Sequence, residues 1–139
     1  MILTLKIKLL FGLYTKDDWE GTLEVDESAT LLDLHDAIQH ALQFDNDHMY
    51  EFYVARTPRS GARVHFDDEN GRLYDTEIGT LYPLPAKKNL FYLFDYGDSW
   101  LFKISKSRHA PAEPVPHVEY PRLIHVKGTR PEQYPAMDE

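Results

Sequence analysis

At 139 residues, with 42% hydrophobic and 27% charged residues, the chain has the size and composition of one globular domain, read here as a single domain over 1–139. With no cysteine, disulfides, thiolate zinc sites and a cysteine nucleophile are excluded, which suits a cytoplasmic protein. A net charge of −8 opposes general affinity for nucleic acid, whose backbone recruits Lys and Arg.

The charge is uneven. Residues 103–130 hold six basic residues against two acidic ones, whereas residues 1–102 hold nine against eighteen. The basic segment reads as a solvated arm complementing an acidic body, with weak nucleic-acid binding as its alternative. No apolar run approaches the ~18 residues needed to span a bilayer, so no membrane partner is expected.

The N-terminal MILTLKIKLLFG is interrupted by Lys6 and Lys8 and lacks a small-residue cleavage site, so it reads as a strand and not as a signal peptide. Leu3, Leu5, Ile7 and Leu9 alternate with Thr4, Lys6 and Lys8, placing one face in a core. Trp19, Leu23 and Val25 repeat the pattern after a turn at Leu13–Asp18 and predict an N-terminal hairpin, with lysines near glutamates on its wet face.

Thr30 is a good N-cap with Asp33 three residues on, and Leu31, Leu34, Ile38, Ala41 and Leu42 recur at helical spacing. They predict a helix over about Leu31–Phe44. Asp45-Asn46-Asp47-His48 ends it. That acidic turn fails as a calcium loop, since Met49 and Tyr50 fill the fifth and sixth positions. Tyr50, Phe52 and Val54 suggest a third strand, and Arg63–Phe66 with Arg72–Tyr74 suggest a hairpin around Asn70-Gly71. Ile78–Leu81 suggests one short helical turn.

Leu90–Phe94 is apolar throughout, as in a strand covered on both faces, and Trp100, Phe102 and Ile104 alternate with Leu101, Lys103 and Ser105. Between them Asp95-Tyr96-Gly97-Asp98-Ser99 has turn chemistry, with Gly97 as the expected positive-φ residue. This hairpin is expected at the centre of the sheet. Pro111, Pro114, Pro116 and Pro121 then predict an extended strap over about 107–139, anchored by Val118, Tyr120, Leu123 and Ile124 and frayed beyond Arg130. The compact body would end near residue 106.

Leu31-Leu32-Asp33-Leu34-His35, Ile38, Asp45–Met49, Phe52, Phe94–Trp100 and Pro131-Glu132 together resemble, in order and separation, the plasmid pRiA ORF-3-like domain family. The resemblance implies an α+β fold related to the β-grasp type, with a mixed sheet and one principal helix packed across it, and a biochemical role not established. Where members of that family carry His two residues after the tryptophan, this chain has Phe102; the family's C-terminal Cys and Gly-Gly are also missing. Proteins of this kind sometimes carry a recombinase label, but Ser28, Ser60, Ser99, Ser105 and Ser107 sit in no nucleophile motif.

Three groups carry candidate chemistry. His35, His48, Asp95 and Asp98 form a ligand set that zinc or manganese would accept if they converge, against a structural role for His35 in stitching helix to sheet. Tyr96 and Trp100 read as core residues or as an aromatic binding platform. Arg56, Arg59 and Arg63 bracket a loop able to grip an anion, set against an ordinary solvated loop. No catalytic constellation is complete and no cofactor is predicted, the alternative being a divalent-metal- or small-ligand-binding protein or enzyme that uses the His/Asp set. The reading is a non-catalytic interaction module that binds a protein partner, or a second copy of itself, through a sheet edge or adjacent loops.

Overall fold

The computed structural model describes residues 1–13 and 17–134. Its strands are β1 (Ile2–Phe11), β2 (Trp19–Asp26), β3 (Tyr50–Ala55), β4 (Arg63–Phe66), β5 (Asn89–Phe94), β6 (Trp100–Lys106) and β7 (Arg122–Gly128), and its helices are α1 (Leu31–Leu42), α2 (Arg72–Asp75) and α3 (Ile78–Leu81). The strands form one sheet in the order β4-β3-β5-β6-β1-β2-β7. Every pairing is antiparallel.

That topology corrects the expected fold class. A mixed β-grasp-like sheet under one principal helix requires a parallel pair at its centre, yet β6 runs antiparallel to β1, with Leu5 opposite Lys106 and Ile7 opposite Ile104. The molecule is instead mainly a seven-stranded antiparallel sheet carrying three short helices.

The N-terminal hairpin and the 90–105 hairpin form as their alternation requires, and Lys8 stands opposite Glu20. The predicted turn at Leu13–Asp18 lies partly outside the described residues. One sheet face is the main core, where Leu5, Ile7, Leu23, Val25, Phe52, Leu90, Tyr92, Phe94, Trp100 and Phe102 are buried. Leu31, Leu34, Ile38 and Leu42 of α1 join the same cluster. The Thr30–Asp33 capping box closes both ways, satisfying two amides the first turn leaves free. On the opposite face Phe91 packs with Tyr53 and Ala55, so β5 is covered on both sides.

Other expectations fail for identifiable reasons. Arg63–Phe66 pairs with β3 and not with 72–74, which coil into α2. Asn70 explains this: its side-chain oxygen accepts the amides of Asp67 and Arg72 while its own backbone amide donates to the Asp67 carboxylate, so the chain turns into a helix and not back along a strand. The strap contains a strand, β7, which pairs with β2 and makes the sheet's outer edge. Leu123 and Ile124 are exposed on that edge strand and are not the buried anchors expected. Nor does the described chain fray beyond Arg130, since Gln133 is buried, accepting the Asp45 amide and donating to Asp47. Gly97 does not take positive φ; Asp95 (φ 61°) and Ser99 (φ 56°) carry the left-handed conformations of that turn.

Candidate functional site

At one end of the sheet three connections surround an open cleft of about 570 Å3. The loop after α1 contributes Asn46, Asp47, His48, Met49 and Tyr50, the turn after β4 contributes Asp67, Asp68 and Glu69, and Tyr74 of α2 and Tyr96 at the β5–β6 tip complete the wall. Among the described residues four carboxylates and three phenols line it, and neither Lys nor Arg does. Met49, Tyr74 and Tyr96 are 63%, 52% and 46% exposed.

Tyr50, Tyr74 and the tip that carries Tyr96 are held from behind. The Tyr50 ring stacks on the His35 imidazole at 3.4 Å with the planes 3° apart. The Tyr74 hydroxyl donates a short hydrogen bond to Asp68. The tip is fixed by Asp95, whose Oδ1 accepts the amides of Gly97 at 3.1 Å and Asp98 at 3.2 Å, while the Asp95 amide donates to Met49.

His35 and His48 take different places. His35 is buried with both ring nitrogens engaged, Nδ1 at 2.6 Å from the Tyr92 hydroxyl and Nε2 at 2.6 Å from Asn46 Oδ1. Asn46 turns its amide nitrogen toward Asp36, so Nε2 of His35 carries the proton and Nδ1 accepts from Tyr92, which in turn accepts from Gln39. Burial lowers the His35 pKa, against smaller opposing effects of Asn46 and Asp36. His48 lies at the surface, its Nε2 3.3 Å from Asp95 Oδ2 and 2.7 Å from the Tyr134 hydroxyl. Among the described residues the Asp98 side chain joins neither, and its amide donates to Asp95. The four polar residues thus fall into a His48–Asp95 pair, a separate buried His35 and an outlying Asp98.

The pair is not arranged as an acid–base relay. A relay through imidazole uses one nitrogen for the orienting carboxylate and the other for the reacting hydroxyl. Here Asp95 and Tyr134 approach the same nitrogen. The Tyr134 hydroxyl donates to Asp47, and that bond pushes its pKa up to about 12, so it stays protonated at neutral pH.

Trp100 is fully buried, its ring 5.0 Å from Phe44, so of the platform pair only Tyr96 reaches the cleft. Phe102 is also core, edge-on to Trp19 at 6.4 Å and tilted against Tyr92 at 5.8 Å. Arg63 lies 4.1 Å over the Tyr53 ring and donates to the carbonyls of Ser60 and Pro58, so its guanidinium braces its own loop. Among the described residues the side chains of Arg56 and Arg59 form no ion pair or hydrogen bond. Sequence reasoning missed Asp67, Asp68, Glu69 and Tyr74 as cleft residues, because a hairpin there would have carried them elsewhere. The density of acids beside Asn70-Gly71 was the available signal.

Fold and site define a class: an antiparallel β-sheet protein with an acidic, tyrosine-lined cleft at one sheet end. The chain belongs to the plasmid pRiA4b ORF-3-like protein family, whose model matches residues 2–134. The fold is similar to that of a protein of unknown function from Methanosarcina mazei Go1, with a TM-score of 0.71 and 24% identity over 90% of this chain and 68% of that one. No curated protein matches. No helix among the described residues is long and apolar enough to cross a membrane.

Proposed function

We propose that this is a non-catalytic interaction module, acting in the cytoplasm, whose cleft receives a basic side chain of a protein partner. The observation that carries the reading is the composition of the cleft wall: Asp47, Asp67, Asp68 and Glu69 with Tyr50, Tyr74 and Tyr96, and among the described residues no Lys or Arg. A cation over an aromatic face gains ~0.5–2 kcal/mol, more as it is desolvated, and nearby carboxylates add charge attraction. The Tyr96 pKa is raised to about 12, by burial first and then by the charges of Glu51, Asp67 and Glu69, so its ring remains a neutral phenol in a negative field. The one-sided arrangement of Asp95 and Tyr134 about His48 supports binding over catalysis.

The test is titration, followed by amide NMR, with short peptides carrying Lys, Arg or acetyl-lysine. Lys or Arg peptides should shift the amides of 46–50, 67–69 and 96 and weaken with added salt. Tyr96→Ala should reduce affinity by about 2- to 30-fold, the range one cation–π contact spans. Equal binding of acetyl-lysine, or shifts elsewhere, would refute the reading.

A further inference from the structure

We infer that Glu51, His65 and Asp67 form a binding site for a divalent transition-metal ion on the sheet face that carries Tyr53. One ligand atom from each side chain, His65 offering a ring nitrogen and the two acids an oxygen each, lies within 4.8 Å of the others. Glu51 Oε2 and His65 Nδ1 are already 2.9 Å apart. Tetrahedral ligands at ~2.0–2.2 Å from zinc sit roughly 3.3–3.6 Å from one another, so an entering ion would part the Glu51–His65 contact slightly and draw on three atoms that already lie within 4.8 Å of one another.

The register explains why these groups meet. Tyr53 stands opposite His65 and Phe52 opposite Phe66. One more step sets Glu51 against Asp67, and since side chains alternate, both share a face with His65. Two carboxylates directly opposed on neighbouring strands are destabilising unless a cation stands between them. Lys or Arg is the usual remedy, yet among the described residues His65 is the sole ion-pair partner of Glu51 and Asp67 has none. Nearby Arg63 is committed to Pro58, Ser60 and the Tyr53 ring, and Arg72 lies 4.3 Å over the Phe66 ring. Glu51 is only 13% exposed, which limits screening by water.

The donors are also held in place. Asn70 donates to the His65 carbonyl at 3.0 Å, and Asp67 and Asn70 exchange amide hydrogen bonds at 3.2 and 2.9 Å. Asp67 Oδ2 has no donor among the described residues. One imidazole and two carboxylates suit Zn2+ or Mn2+ ahead of Mg2+, with Zn2+ the tighter in the usual affinity order. Three protein ligands leave at least one position open to water.

This site overlaps the cleft of the proposed function only at Asp67, since Glu51 and His65 do not line that cleft. The experiment uses the full chain freed of metal by chelator and titrated calorimetrically with ZnCl2, MnCl2 and MgCl2. One Zn2+ per chain is expected, with Mg2+ far weaker. Mn2+ should broaden the amide signals around 51, 65 and 67 first. His65→Ala and Glu51→Gln should each lower Zn2+ affinity by at least about tenfold, both being judged only after a melt shows them folded. Absence of Zn2+ binding, undiminished binding in both folded variants, or broadening centred on His48 would each overturn the site. His65→Ala should still bind the Lys peptides, so failure of the metal site and failure of the cleft reading are distinguishable.

Discussion

His48 Nε2 stands 3.3 Å from Asp95 Oδ2, and the carboxylate it meets belongs to a residue held at φ 61°. Asp95 therefore does two things at once. Its Oδ1 caps the amides of Gly97 and Asp98, and its Oδ2 faces the imidazole. The contributions separate by substitution. Asp95→Asn keeps an acceptor for the turn and a side chain that tolerates left-handed backbone, losing only the charge toward a partly exposed histidine, so it should cost ~0–1 kcal/mol. Asp95→Ala loses both caps and leaves an alanine at positive φ, so ~1–3 kcal/mol is expected. Urea melts of the two variants beside the parent decide it. Equal losses would show that the charge, and not the turn, dominates.

Two glycines reverse the expectation drawn from the turn. Gly97 has no positive φ, and a Cβ placed on it would meet only Asp95 Oδ1 at 3.4 Å, an ordinary contact. Gly97→Ala should therefore lie within about 0.5 kcal/mol of the parent. Gly128, at the end of β7, has φ 88°, and a Cβ there would fall 2.1 Å from the Asp18 carbonyl oxygen. Gly128→Ala must move backbone, and we expect a loss of more than about 1–3 kcal/mol. Hydrogen exchange should show the damage first in β7, where Trp19 pairs with Gly128. Uniform protection in that variant would contradict the assignment.

What could be read from the sequence was what local periodicity encodes. The alternation of Leu3–Leu9 and Trp19–Val25, the Thr30–Asp33 cap and the unbroken Leu90–Phe94 run specify elements through contacts that lie close in sequence or repeat along one face. Pairing direction is different in kind. Whether β6 runs with or against β1 depends on how distant segments meet, and alternation looks the same either way. The family resemblance suggested the wrong sheet for that reason. The site was legible in part: the His48–Asp95 approach joins loops 47 residues apart, and no spacing rule announces it. Gln133 and Tyr134 were invisible as partners of Asp45, Asp47 and His48, since their contacts span 86 to 88 residues.

Stability should fall with acid through His35. His35 is neutral in the fold, packed between Tyr50 and Tyr92 with Phe94 at 6.2 Å, and the facing polar groups are Tyr92, Asn46, Gln39 and Asp36, the last 4.0 Å from Nε2. Burial depresses its pKa below the ordinary value, so between about 6.5 and the lowered value the unfolded chain binds a proton that the folded chain refuses. Excess protons on the unfolded state make stability rise with pH in that window. The His35 contribution is thus whole above about pH 6.5 and is lost as pH falls through the folded value, at up to about 1.4 kcal/mol per pH unit. Replacement by Phe keeps a ring against Tyr50 but leaves Tyr92 and Asn46 without their partner, costing ~1–3 kcal/mol at pH 7.5. Urea melts from pH 8 to 4.5 should show a steeper acid decline for the parent than for His35→Phe, the two curves converging as pH falls. Parallel curves through that range would mean that His35 does not titrate differently on folding.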